Sequence, residues 1–284
     1  MTNQFFDVDY TLKRLRDMDT LDTDTIKLSW IFYGNIVFCT CVIISELFLN
    51  EQFFTSFFLY IYQSILLSFH ANEYAIALAM IEKKFKSINN KFLKLKHSIN
   101  AHLQSGSLRK FSVRKKYIVE VIALKRCHAK LYDLCSKISN FYSFGMLFII
   151  PRCVACIIIY IYDLLIPFIK YYMFSNLILR RASQYAWISM TLFSILIVAM
   201  MATEIQKQIK KTGIIIQEIL HECLMSPEIR NEFKIFSLEL LHQNFQFTAY
   251  NIIPVDCSVL RMIFGAIATY LIIFIQFQVD KTKN

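Results

Sequence analysis

Five stretches of about twenty or more mostly apolar residues dominate the chain: 28–48, 53–80, 140–166, 184–203 and 256–278. A bilayer's hydrocarbon core, roughly 30 Å thick, is crossed by about 20 helical residues, and a helix satisfies its own backbone N–H and C=O groups there. The pattern predicts an all-α, polytopic membrane protein, a helical bundle of five spans. Composition supports this over a soluble core, since 56% of residues are apolar and 18% charged, against roughly 45–50% and about 25% in soluble domains. The second stretch is long and carries His70 and Glu73 in its later half, so it is expected to leave the hydrocarbon near residue 74 and continue into water. The first 25 residues hold no apolar core of a secretory signal, which leaves the first span to act as its own signal.

Charge sets the orientation. The chain has 31 Lys and Arg against 21 Asp and Glu, and segment 81–138 alone holds 15 basic and 3 acidic residues. Flanked by apolar spans, that block reads as cytoplasmic retention rather than nucleic-acid binding. With the N-terminus inside, the cytoplasmic pieces 1–27, 81–138 and 204–255 hold 24 Lys and Arg, and the outer pieces 49–52, 167–183 and 279–284 hold 5. The expectation is a multi-pass membrane protein with the N-terminus on the cytoplasmic side and a short tail, 279–284, on the outer side.

The cytoplasmic pieces have their own periodicity. Ile81, Phe85, Ile88, Phe92, Leu95 and Ile99 recur every three or four residues, one apolar stripe on a basic helix. Ser105-Gly106-Ser107 breaks it, and a second helix from about residue 112 carries Val121, Leu124, His128, Leu131 and Cys135 into the third span. Segment 81–138 therefore reads as a helical hairpin within the four-span region 28–203. Segment 204–255 reads as anchor helices parted at Ser226-Pro227, where Ser caps and Pro takes the first helical position. Its net charge of −1 suits it to the basic hairpin; attraction of that hairpin to anionic membrane lipid is the competing reading.

Sites of chemistry are few. Six histidines form no HExxH, the eight cysteines form no paired zinc-ligand set, and no nucleophile elbow or phosphate loop is present. No enzyme, metal or cofactor is expected. Arg152 follows Pro151 halfway along the third span, where a charge costs a few kcal/mol or more and faces protein or water. It reads as a pocket or vestibule group, as the partner of a carboxylate such as Glu73, or as a sign that the span is misplaced. Glu46 and Asp163, near the outer ends of their spans, and Tyr160 complete the candidate pocket, with contact to water and ordinary packing as their alternatives. Trp30, Trp187, Tyr171 and Tyr172 read as interface anchors.

The last span is nearly free of charge and carries Gly265, Ala266, Ala268 and Thr269 in its middle and Gln276 toward its outer end. Small residues permit close helix contact, and Thr and Gln bond across helices or wet a lumen. Thr269-Tyr270, five apolar residues and Gln276-Phe277 resemble the TYhhhhhQF signature of the insect gustatory receptor family. Upstream, Phe247, Thr248, Ala249, Pro254 and Asp256 are similar to that family's lead-in, with Asn251 where Gly is usual and Ile252 and Ile253 in place of aromatics.

The resemblance implies a ligand-gated, nonselective cation channel for taste or other chemosensing, a homo- or hetero-tetramer with the last helix of each subunit around a central pore. It also implies a small-molecule tastant, with Gly265, Thr269, Tyr270, Gln276 and Phe277 at the pore or gate and Phe247, Ala249, Pro254 and Asp256 in the anchor lead-in. Family members have seven spans where five are read here, as if the first two were missing. A nonconducting or partner-dependent membrane subunit, or a truncated receptor, is the alternative.

Overall fold

The computed structural model describes residues 22–49, 60–104, 111–169, 177–223, 225–243 and 245–283. Expectations for residues 1–21, 50–59, 105–107, Tyr171 and Tyr172 lie outside these. In chain order the elements are α1 (Asp22–Leu49), α2 (Tyr62–Gln104), α3 (Phe111–Ile169), α4 (Leu177–Glu222), α5 (Pro227–Leu241), β1 (Thr248–Ala249), β2 (Ile253–Pro254) and α6 (Cys257–Lys283). Among the described residues five helices, α1 to α4 and α6, are long and apolar enough to cross a membrane. At 1.5 Å per residue, the 43 residues of α2 and 59 of α3 run about 64 and 88 Å, well beyond one hydrocarbon thickness.

The chain forms two compact units. One holds segments 22–77, 142–202 and 247–283, the other 78–141 and 203–246, so α2, α3 and α4 each contribute to both.

In the second unit the apolar stripes are the core. Ile81, Phe85, Ile88, Phe92, Leu95 and Ile99 of α2, and Val121, Leu124, His128, Leu131 and Cys135 of α3, are all buried. Residues 204–222 of α4 add Ile205, Ile215, Ile216 and Ile219, and α5 adds Ile229, Phe233 and Phe236. Phe92 stacks on Phe236 with centroids 5.6 Å apart, and burial of such a ring is worth about 1.5–3 kcal/mol. Asn89 donates to the carbonyl and Oε1 of Gln208 at 3.0 and 3.1 Å and accepts from Thr212 at 2.6 Å, which satisfies a buried amide.

The charge complementarity read from sequence takes specific form here. Lys96 pairs with Glu218 and Glu222 at 3.0 and 2.8 Å, Lys125 with Glu239 at 2.7 Å and Arg114 with Glu228 at 3.6 Å. Their carboxylates are solvent-exposed, so each pair contributes less than about 1 kcal/mol and mainly sets which helices adjoin. At the start of α5, Ser226 has the extended backbone of a cap and Pro227 follows, but the Ser226 hydroxyl makes no capping bond.

The first unit packs Cys39 and Val42 of α1 with Ile61 beside α2 and Trp187 and Met190 of α4. Trp187, read as an interface anchor, is instead 3% exposed, while Trp30 is 72% exposed. The Trp187 ring has two partners that a lipid-facing residue would lack. Its indole N–H donates to Glu46 at 2.9 Å, and its face stacks on Tyr160 at 5.5 Å.

Residues 247–255, taken from sequence as part of the anchor helices, form a β-hairpin instead. Thr248 pairs with Pro254 and Ala249 with Ile253. Tyr250 and Asn251 take φ of 53° and 57°, and the Ile252 N–H bonds to the Ala249 carbonyl at 3.0 Å. Two consecutive left-handed residues are the signature of a type I′ turn, in which Gly and Asn are the favoured occupants. Asn251 therefore meets a backbone requirement that Gly would also meet.

Candidate functional site: the last helix and a polar pocket

Helix α6 buries one narrow stripe. Val259, Ile263 and Ile267, four residues apart, are 6% exposed or less. At 100° per residue, Gly265, Thr269 and Gln276 fall within about 40° of one another, on the side opposite Ile263 and Ile267. All three are exposed. A Cβ added at Gly265 would meet nothing within 4 Å, and the Thr269 hydroxyl turns back to the Gly265 carbonyl at 2.9 Å. This face combines small and polar groups and is left uncovered in the single chain.

Tyr270 and Phe277, grouped with those residues on sequence, point elsewhere around the helix. Tyr270 lines an apolar groove of about 600 Å³ with Met262 and Phe274 of α6 and Ile150, Pro151 and Val154 of α3. Tyr162 and Phe274 bring the two helices together near one end, with ring centroids 5.5 Å apart. Phe277 is 71% exposed. In the lead-in, Phe247 and Ala249 are fully buried, Pro254 pairs in the hairpin, and Asp256 accepts from the Ser258 backbone N–H at 2.8 Å. Asp256 thus supplies the cap that starts α6.

Of the four candidate pocket residues, Glu46 and Tyr160 share one cluster, while Asp163 and Arg152 have other direct neighbours. Glu46 accepts from Ser183 at 2.8 Å and from Trp187, on whose ring Tyr160 stacks, so Glu46 and Tyr160 meet through Trp187. This cluster ties α1, α3 and α4 together. Asp163 is half-buried, within electrostatic reach of Arg180. Arg152 lies in a different cluster and donates to the Ser64 hydroxyl at 2.8 Å. Glu73 is 4.0 Å from His70, and among the described residues Arg152 makes no ion pair with it or with any other carboxylate.

Around Arg152 is a cavity of about 20 Å³ lined by Ser64, Ser68, Thr191, Ser194, Leu67 and Met190 among others. Ser68 donates to Asn35 at 2.7 Å and lies 2.8 Å from the Ser194 hydroxyl. These polar partners were missed on sequence. Their signal was there, since Ser64 and Ser68 are four apart on one helix face, as Thr191 and Ser194 are three apart on another.

Comparison with known proteins decides the family. The family described as 7tm chemosensory receptor matches residues 1–280. The chain belongs to that family. It is similar to gustatory receptor 28b of Drosophila melanogaster, 35% identical over 78 residues, which are 28% of this chain and 16% of that protein. It is also similar to gustatory receptor 2a of the same fly, 51% identical over 47 residues, 16% of this chain and 11% of that protein. The matched stretches thus span less than a fifth of either relative. Among solved structures, the insect olfactory receptor OR5 from Machilis hrabei, in complex with eugenol, superposes with a TM-score of 0.59. That match covers 90% of this chain and 68% of the other at 11% identity, and it supports the fold of a helical, multi-pass membrane protein.

Proposed function

We propose that this chemosensory-receptor chain is a gustatory-type subunit of a ligand-gated, nonselective cation channel in the plasma membrane. Four subunits, alike or mixed, surround a pore lined by the Gly265, Thr269 and Gln276 face of α6. The observation that carries this is the uncovered face itself. It brings Gly265, Thr269 and Gln276 together in the long uncharged stretch of the helix, with exposed Ile272 beside them, and a pore supplies water to the Gln276 amide while lipid does not. The Tyr270 side of α6 packs toward α3 and acts on the pore through helix position. The ligand is a small organic molecule held within the spans of the first unit, and the complex of the olfactory neighbour with eugenol supports that class. Basic segment 81–138 supports a cytoplasmic N-terminus.

The test is current. The chain is expressed in oocytes with an external C-terminal tag, and currents are recorded while eugenol and a tastant panel are applied. Ligand-evoked cation current changed in conductance by Gln276→Ala supports the reading. Surface-delivered protein that conducts only with a second receptor supports a partner-dependent subunit. Current indifferent to every change on this face would refute the pore assignment.

A further inference from the structure

The cluster around Arg152 has a surplus of hydrogen-bond donors. A guanidinium carries five N–H groups, and one of Arg152's goes to Ser64. Of the neighbouring hydroxyls, Ser64 donates to the Tyr60 carbonyl at 2.7 Å and Thr191 to the carbonyls of Trp187 and Ile188, while Ser68 and Ser194 lie 2.8 Å apart and share a proton between them. The fully buried amide nitrogen of Asn35, whose oxygen takes the Ser68 proton, has no acceptor. A half-buried positive charge, with no carboxylate partner among the described residues, thus sits near a buried amide N–H that lacks an acceptor. Within an apolar span such a charge is costly until an anion neutralises it.

We infer that the cavity bounded by Arg152, Ser64, Ser68 and Ser194 is a subsite for the anionic head of a small organic acid. The match is chemical. A carboxylate accepts two parallel N–H bonds from a guanidinium fork and returns the missing negative charge. Leu67, Ile149 and Met190 line the same cavity and suit a short alkyl tail. Its size, about 20 Å³, holds a water-sized group, so one carboxylate oxygen enters and the rest of the acid extends through the opening. This deepens the receptor reading by naming a ligand class. Binding is nevertheless separable from current, so either can fail alone.

The test uses the purified full chain in neutral micelles at pH 7.4, carrying Trp30→Phe so that Trp187 is the sole indole. Trp187 packs with Met190, which lines the cavity, so its emission reports occupancy. Butanoate is titrated against two neutral isosteres, butanamide and butan-1-ol. The expected result is saturable quenching by butanoate at a concentration at least tenfold below either isostere. Arg152→Gln should abolish that preference and Arg152→Lys should retain part of it. Thr40→Ala, at an exposed hydroxyl outside the cavity, should leave the preference within threefold, and an unchanged thermal midpoint of Arg152→Gln in the same micelles guards against a folding defect. Equal binding of acid and isosteres, or an unchanged preference in Arg152→Gln, would overturn the proposal. Quenching reproduced by phosphatidylserine in the micelles without acid would assign the site to a lipid headgroup and also overturn it. Butanoate binding in a chain that carries no current would leave the subsite standing and count against the channel.

Discussion

His128 offers a test of the packing in the charged-helix unit. It is fully buried, both ring nitrogens lack hydrogen-bond partners, and the rings of Phe85 and Phe236 approach it edge-on at 5.3 and 5.5 Å. Burial without a partner pushes its pKa from 6.5 down to about 4. The folded unit therefore holds the imidazole neutral, while the unfolded chain protonates it below about pH 6.5. Stability is fully present above that pH and is lost as pH falls toward 4. At 1.36 kcal/mol per pKa unit, the loss is about 2 kcal/mol by pH 5 and about 3 kcal/mol in full. His128→Leu, close in volume, should remove this dependence and gain about 1 kcal/mol at pH 7.5 by removing two unpaired nitrogens. The assay is trapping of the neighbouring thiol Cys127, 2% exposed, by a dithiodipyridine, with the modified residue quantified by mass spectrometry. Comparing the chains at one pH cancels the reagent's own pH dependence. Between pH 7.5 and 5 the wild-type rate should rise roughly 30-fold relative to His128→Leu, following the about 2 kcal/mol. A constant ratio across that range would refute the reasoning.

Two further predictions concern backbone positions. A Cβ at Gly145 would stand 2.5 Å from His70 Nε2, so Gly145→Ala should destabilise the purified chain by about 1–3 kcal/mol, and His70→Ala should restore most of that, read as recovery of the thermal midpoint in micelles. At the hairpin turn, Asn251→Gly should leave the midpoint unchanged or slightly higher, whereas Asn251→Val, β-branched at a φ of 57°, should cost about 1–2 kcal/mol.

What the sequence disclosed, and what it did not, follows from the physics. Apolar stripes such as Ile81 to Ile99 were legible because helical period and burial produce the same signal in sequence and structure. The five helices of spanning length among the described residues were legible because bilayer thickness sets that length. Residues 247–255 were not, because a turn with positive φ usually announces itself through Gly, and here Tyr250 and Asn251 occupy it. Glu46, Trp187 and Tyr160 form a cluster whose parts are far apart in sequence, so their meeting depends on how three helices are rotated. The same holds for Arg152: its charge marked the position, but only the packing of α1, α2, α3 and α4 brings Asn35, Ser64, Ser68 and Ser194 near it.

The central claim is that one face of α6 lines an aqueous pore, and substituted cysteines test it most directly. Thr269→Cys and Gln276→Cys on the uncovered face, and Ile263→Cys and Ile267→Cys on the buried stripe, are expressed in turn in a Cys257→Ser background, and ligand-evoked current is followed during exposure to a charged methanethiosulfonate. The account predicts progressive, reductant-reversible block at positions 269 and 276 and none at 263 and 267. Block at 263 and 267 with 269 and 276 untouched would place the pore on the other side of the helix and contradict it.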